Sequence, residues 1–403
     1  MKILMHDYGG YPFPVDLSRE LAERGHEVQH TYCGSLKTTP GRGFKRTNED
    51  AAGLTFSAVT LSEPLEKYSL IKRWRQERRY GQLIADQVDI YSPDVVVSAN
   101  TPLDAQRPLQ NACRQKKIPF VFWLQDILSL ATQKLLSKRI PGIGHMIGEY
   151  YKSMEANLLK NSDWNILITS DFEPVLQRWG IQRQKTSVIE NWAPIREIPV
   201  KQKINQWSSL NGLSDKKCIV YTGTMGLKHN PALMLKLALK LKESPDCRVV
   251  VISEGKGADW LRRKALELEL DNLLVHPFTP FEDIPDVMAT AEVLVAILEP
   301  DAGVYSVPSK VLAYLCAERP LLLSVPLDNL AARTVSRAKA GSVHAPDDED
   351  AFVNSAIELL NNESKRRQLG CNARSYAQTK FNIKEITDQF LVGFRKLTNS
   401  SAH

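Results

Sequence analysis

The sequence predicts an α/β protein built as two Rossmann-like, doubly wound domains. The 403 residues exceed the roughly 100–200 of a single domain. Short apolar runs alternate with stretches of helical spacing along the chain, which is the signature of a parallel sheet covered by helices. A Pro- and charge-bearing stretch, Asn191 to Lys203, divides one such series from the next.

The first series opens with the apolar run Lys2 to Tyr8, which ends in Gly9-Gly10. Leu17, Leu21 and Ala22 then give Val15 to Arg24 a helical face, and Glu27 to Tyr32 reads as a second strand. The alternation returns as a strand at Asp94 to Ser98, a helix near Leu103 to Gln115 and a strand at Pro119 to Leu124. Trp164 to Thr169 followed by the helix Phe172 to Trp179 closes the series. The second series has strands at Cys218 to Thr222, Arg248 to Ser253, Leu273 to His276, Val293 to Leu298 and Pro320 to Ser324. Ile383, Ile386, Phe390, Phe394 and Leu397 give a last helix, Asn382 to Leu397, an apolar stripe that must be buried.

With 43% hydrophobic and 24% charged residues, the composition is that of a globular protein and excludes collagenous and disordered classes. A net charge of +6 suits anionic ligands or an anionic surface without requiring nucleic acid. The six cysteines form no CxxC pair, so neither a zinc site nor a disulfide framework is expected, and a reducing cytoplasm fits. The N-terminus turns polar too soon for a signal peptide, and no apolar run approaches the roughly 20 residues of a membrane span. His26, His30, His145, His344 and His403 lack metal-ligand spacing.

The most informative segment is Tyr221 to Pro231, which leaves a strand through Gly223, Thr224 and Gly226 and enters a helix with Asn230 as cap and Pro231 as first helical residue. Its glycines admit a ligand to the backbone, the helix start offers N–H groups, and Lys228 adds a positive charge. A second site of this kind is Pro308-Ser309-Lys310, where Ser309 is expected to cap a helix running to Ala317. Two helix starts with lysines at C-terminal strand ends form the pattern of a nucleotide-diphosphate pocket, although each alone is also what an ordinary turn and cap look like. Gly255, in Glu254 to Gly257, offers a third such turn. His276 and Phe278, within the Pro-bearing segment His276 to Pro280, offer backbone to a nucleobase edge.

On the N-terminal half, Gly9, Gly10, Asn100, Asp126 and Thr169 to Asp171 stand at expected C-terminal strand ends, where open α/β sheets bind ligands. Lys72, Arg73, Trp74 and Arg75, extended by Arg78 and Arg79, make a basic, aromatic helix suited either to an anionic bilayer or to plain solvation.

Taken together these segments resemble the GT-B glycosyltransferases of family 4, above all the bacterial enzymes that assemble capsular, exopolysaccharide, colanic-acid-type and O-antigen sugars. The resemblance rests on Met1 to Leu4 with Gly9-Gly10, Val188 to Trp192, Tyr221 to Pro231, Gly255, His276 to Phe278, Val307 to Lys310 with Tyr314 to Pro320, and Gly370 to Arg374. It implies two facing domains, 1–192 for the acceptor and 193–379 for a nucleotide-sugar donor, with the C-terminal helix 380–403 returning to the first. The activity it implies is sugar transfer with retention of anomeric configuration and no obligatory metal or other cofactor. Lys228, Lys310 and the helix starts then meet the charge on the leaving diphosphate. In this reading Gly9-Gly10 approaches the donor phosphates, and Asp126 contacts the transferred sugar or the acceptor hydroxyl.

One departure matters. Many members carry two glutamates, one for the sugar and one for the ribose, and these places fall here at Tyr305 and Ala313. Glu299, earlier in the loop, is the remaining carboxylate for the sugar. A second departure is Gln125 before Asp126, where many relatives have histidine. The partners expected are a nucleotide-sugar donor, a lipid-linked or glycan acceptor and an anionic membrane face, with no nucleic acid. A soluble acceptor and a non-catalytic nucleotide-sugar-binding partner are the competing readings.

Overall fold

A computed structural model describes residues 1–36, 44–66, 69–140, 142–226, 229–300 and 309–400. The chain divides into two compact units, Met1–Asn191 together with the C-terminal segment from Ile383, and Trp192–Asn382.

The N-terminal unit holds seven strands: β1 (Lys2–Asp7), β2 (Glu27–Cys33), β3 (Leu54–Val59), β4 (Val95–Ala99), β5 (Phe120–Leu124), β6 (Trp164–Leu167) and β7 (Thr186–Val188). They pair in the order β3-β2-β1-β4-β5-β6-β7, all parallel. β4 and β5 are buried at every position, which explains their unbroken Val- and Phe-rich runs. The order reverses between β1 and β4, which opens a crevice at their C-terminal ends.

The other unit has six strands: β8 (Lys217–Thr222), β9 (Cys247–Ile252), β10 (Leu273–His276), β11 (Val293–Ile297), β12 (Leu321–Ser324) and β13 (Gly341–His344). Their order is β10-β9-β8-β11-β12-β13, again all parallel, with the reversal between β8 and β11. Tyr221, Leu233, Leu237, Val249, Val251, Val295 and Phe352 belong to one apolar core that joins this sheet to its helices.

The helices differ from the sequence expectations in instructive ways. The first begins at Pro12, not Val15, because proline is well tolerated in a first helical turn. The expected helix Phe172 to Trp179 divides into a 3₁₀ turn, Ser170–Phe172, and a helix, Glu173–Arg178, where the Thr169 hydroxyl accepts from Asp171 N–H. Helix Ile383–Ser400 buries Phe390 and Phe394, and the Phe390 ring stands 5.0 Å from Trp123 and 6.2 Å from Trp164. Arg24 fastens its first turns through Asp388 and the Lys384 carbonyl.

Leu128–Arg139 and Ile143–Asn161 form a helical hairpin that the apolar spacing does not announce. Glu155 of the second helix accepts from the Leu128 and Ser129 N–H groups, both at 3.0 Å, and so closes the open start of the first. Burial pushes its carboxyl up to about 7.

Candidate functional site

At the reversal point of the second sheet, Gly223 leaves β8 with φ +101°, a left-handed conformation that favours glycine. A Cβ there would lie 3.3 Å from both Cε and Nζ of Lys310, so the missing side chain is what lets the lysine approach the strand end. Lys310 opens the helix Lys310–Cys316 that follows β11, and its Nζ lies 3.6 Å from the centroid of the Tyr221 ring. The residue is half-buried as a whole, but Nζ itself is closed to solvent and has no hydrogen-bond partner among the described residues. Burial lowers its pKa to about 7. A cationic group held dry with only the Tyr221 ring face against it is costly, and an anion seated beside it would offset that cost.

The surrounding loops are locked in place. The Tyr221 hydroxyl donates to the Thr224 carbonyl at 3.0 Å, and Thr222 N–H donates to the buried Tyr314 hydroxyl at 2.9 Å. Gly226 N–H donates to His229 Nδ1 at 3.1 Å, and Asn230, in the left-handed region, caps helix Pro231–Lys240 by accepting from Leu233 N–H. Gly255 starts helix Lys256–Glu267, whose Gly257 N–H donates to the Met225 carbonyl at 3.0 Å. A Cβ on Gly257 would stand 2.6 Å from that same oxygen. Gly257→Ala is therefore expected to force the β8 and β9 loops apart at about 1–3 kcal/mol. The expected result is a lower melting temperature and weaker nucleoside-diphosphate binding, read by thermal shift.

The other residues expected on the donor side take varied positions. Thr224 is exposed and Gly226 half-buried on the β8 loop. Ser309 stands at the cap position of its helix, yet has helical backbone angles and makes no side-chain capping bond, which corrects the expectation that it caps. Ala313 lies one turn beyond Lys310, where it offers no polar group. His276 ends β10 half-buried, its Nε2 without a hydrogen-bond partner among the described residues, and burial lowers its pKa. Phe278 is exposed beside it, and Glu299 follows β11 half-buried. Lys228, Tyr305 and Pro308 lie outside the described residues.

In the N-terminal unit, the reversal point is organised by a residue that the sequence reading passed over. Asp7, the last residue of β1, is fully buried and accepts from Tyr11 N–H at 2.5 Å and from Asn100 Nδ2 at 2.8 Å. The Gly9 and Gly10 N–H groups also face it. Burial outweighs these donors and pushes its carboxyl up to about 7. Asn100, left-handed at φ 53°, thus ties β4 to the glycine loop of β1. The one available signal was an acidic residue at the end of the strand Lys2–Asp7, directly before its glycine loop.

Asp126 is exposed after β5, and Asp7 and Asp126 both act electrostatically on the Tyr11 phenol. Gln125 beside it is buried and pairs with Asn191. On helix Leu70–Tyr91, Lys72 and Arg75 are exposed, whereas Trp74 Nε1 donates to Asp104 at 3.1 Å. Arg73 departs from the expected outer face: it turns inward to Glu77 and to the Tyr8 hydroxyl. Among the described residues there is no group of three or more His, Cys, Asp or Glu placed to hold a metal ion.

Two all-parallel sheets, each with a glycine loop and a helix start at its reversal point, define a doubly wound α/β protein of the kind that binds ligands at such points. Comparison with known proteins narrows this. Residues 14–196 match the family model for "Glycosyltransferase Family 4", and residues 203–376 match that for "Glycosyl transferases group 1". The chain belongs to the GT-B glycosyltransferases of the family 4 type. Among curated proteins it is 21% identical over 245 residues to the probable glycosyltransferase WbjE of Pseudomonas aeruginosa, spanning 60% of each chain.

Its fold is also that of solved GT-B structures. HepE of Anabaena in complex with UDP-glucose superposes with a TM-score of 0.72 at 15% identity, covering 98% of this chain and 100% of that one. Sucrose-phosphate synthase of Thermosynechococcus elongatus gives 0.73 at 16% identity, covering 99% and 100%. WaaG, a glycosyltransferase involved in lipopolysaccharide biosynthesis, gives 0.66 at 14%, covering 96% and 98%.

Proposed function

We propose that this protein is a retaining glycosyltransferase that moves a sugar from a nucleotide-diphosphate sugar to a lipid-linked glycan acceptor in cell-surface polysaccharide assembly, at the cytoplasmic face of the membrane. The observation that carries the donor half is the desolvated Lys310 amine, without a hydrogen-bond partner among the described residues, against Gly223 at the sheet's reversal point. In the reaction the bond from the anomeric carbon to the diphosphate oxygen breaks and negative charge grows on the leaving diphosphate. Lys310, Lys228 and the N–H groups of the helix starts stabilise that charge, so the reaction needs no obligatory divalent metal. The acceptor hydroxyl passes its proton to the departing diphosphate oxygen as its own oxygen bonds to the anomeric carbon. Asp126 is the carboxylate for the transferred sugar or the acceptor hydroxyl, and Glu299 that for the sugar.

The acceptor half rests on the resemblance to enzymes of surface polysaccharides and on WaaG as a structural neighbour. Uridine donors head the panel to be tested, because HepE is seen with UDP and UDP-glucose. A soluble acceptor is the second reading, favoured by the likeness to sucrose-phosphate synthase.

The test is transfer from a panel of nucleotide sugars to lipid-linked acceptors extracted from membranes, with chelator present. The expected result is release of nucleoside diphosphate with retention at the anomeric carbon. Transfer to soluble sugar phosphates alone replaces the lipid-linked reading, and loss of activity on chelation contradicts the metal-independent one.

A further inference from the structure

Helices Leu103–Gln115 and Ile143–Asn161 of the N-terminal unit lie against one another. Towards one end of their seam the Tyr151 hydroxyl donates to the buried Asp104 carboxylate at 2.6 Å. Towards the other, Gln110 Nε2 donates to the Leu158 carbonyl at 2.7 Å and to the Ser162 hydroxyl at 2.9 Å. Beside these ties the helix surfaces part to leave a cleft of about 220 Å³, with the buried Met154 and Leu158 at its floor and the exposed ring of Tyr150 on its wall.

The rest of the lining is polar. Arg107 and Asn111 come from the first helix and Ser153 and Asn157 from the second, and no carboxylate among the described residues joins them. All four are exposed, and none makes a side-chain hydrogen bond or ion pair with another described residue. Asparagine suits a helix interior poorly, because its amide competes for nearby backbone groups. Asn111 and Asn157 each stand a full turn before the last residue of their helices, so neither is a cap, and no contact within the described fold offsets that cost.

Carboxamides that the fold does not use, gathered beside a tyrosine ring, have the chemistry of sugar recognition. Every sugar hydroxyl both donates and accepts, as each carboxamide does, while the C–H face of the sugar ring packs on an aromatic face. Gln110 adds a buried acceptor, since its two bonds run through Nε2 and leave its carbonyl oxygen without a partner among the described residues. The volume is below the roughly 300–1,000 Å³ that encloses a drug-sized ligand, so the cleft fits one ring of a longer chain. Leu103–Gln115 runs back from the end of β4, and Asn111 lies about 12 Å along it. The cleft is therefore removed from the strand ends that carry Asp7, Asn100 and Asp126.

We propose that this cleft is a second carbohydrate-binding site, which holds one sugar unit of a neutral glycan chain through the amides of Gln110, Asn111 and Asn157 and the ring face of Tyr150. The inference goes beyond the transfer reaction and requires neither donor nor lipid. That the chain held is the one being built rests on the reading above.

The test is affinity electrophoresis of the full chain in native gels containing dextran, mannan, galactan or polygalacturonate, against a gel without polysaccharide. At least one of the three neutral polysaccharides is expected to retard wild type. Asn111→Ala with Asn157→Ala should weaken that interaction by about 25-fold, at roughly fivefold for each amide removed. Its melting temperature should be unchanged or raised, because alanine is the better helix former, and its stabilisation by UDP should equal that of wild type. No retardation by any neutral polysaccharide, or equal retardation of wild type and variant, overturns the proposal. Retardation by polygalacturonate alone, lost in Arg107→Ala and kept in the asparagine variant, overturns it in favour of an anion site on the arginine. Retardation by a neutral polysaccharide that the variant loses, without transfer to any acceptor, supports the cleft and counts against the transfer reading alone.

Discussion

Lys310→Met is expected to make the free protein more stable and to reduce sharply its stabilisation by nucleoside diphosphates. The Lys310 amine is dry and has no hydrogen-bond partner among the described residues, and burial lowers its pKa from the usual 10.5 to about 7. Between those values the unfolded chain holds a proton that the folded chain has released, so stability rises with pH across that window. Below about pH 7 the folded protein carries the full cost of a buried charge. Methionine fills similar volume without it, and the melting temperature at neutral or lower pH should rise by about 2–4 °C for each kcal/mol relieved. A nucleoside diphosphate at a hundredfold excess over the wild-type Kd should stabilise wild type by about 2.7 kcal/mol and the variant, at the same concentration, by no more than about 1.4 kcal/mol. Scanning fluorimetry on both proteins, with and without ligand, reads the two effects together. A variant destabilised alone yet stabilised by ligand as much as wild type would mean that Lys310 is a packing residue.

Asp7→Leu should be the most damaging single change in the N-terminal unit. It leaves Tyr11 N–H and the Asn100 amide without their acceptor inside the fold, at about 1–3 kcal/mol for each orphaned donor. The urea midpoint should fall accordingly, and transfer should fall with it because the Gly9-Gly10 loop loses its anchor. Asp7→Asn separates charge from shape. The folded carboxyl titrates near 7, above its ordinary value. Folding therefore takes up a proton between about pH 4 and pH 7, and stability from this group declines as pH rises through that window. The asparagine variant should lose that slope in a stability–pH series while keeping one acceptor for the loop. An unchanged slope would show that Asp7 does not titrate there.

Most of the architecture was readable because it is local. Strand β1 with Gly9-Gly10, the helix after it and the run of β8 into Gly223 and Pro231 each declare themselves through apolar spacing, glycine and proline within about a dozen residues. Family membership was legible for a related reason, since Tyr221 to Pro231 and the segment around Lys310 carry it at short range. The misses are non-local. Asp7 reads as a strand residue until β4 is laid beside β1 and Asn100 reaches it. Arg73 looks like its neighbours Lys72 and Arg75 until the helix is packed and one of the three faces Tyr8. Ser309 has the residue type of a cap, but the backbone before Lys310 is already helical. The hairpin Leu128–Asn161 is missed because its shared cap, Glu155, lies far along the chain from the helix start that it closes.

The central claim is that the donor diphosphate seats against Lys310, and proton-linked calorimetry tests it most directly. UDP and UDP-glucose would be titrated at pH 8 in buffers of different ionisation enthalpy, on wild type and on Lys310→Met. The amine is largely neutral in the free protein at that pH and must be charged to hold the diphosphate. The account predicts uptake of close to one proton on binding to wild type and at least a tenfold loss of affinity, about 1.4 kcal/mol, with no uptake in the variant. Equal affinity in the two proteins with no proton taken up by either would contradict it.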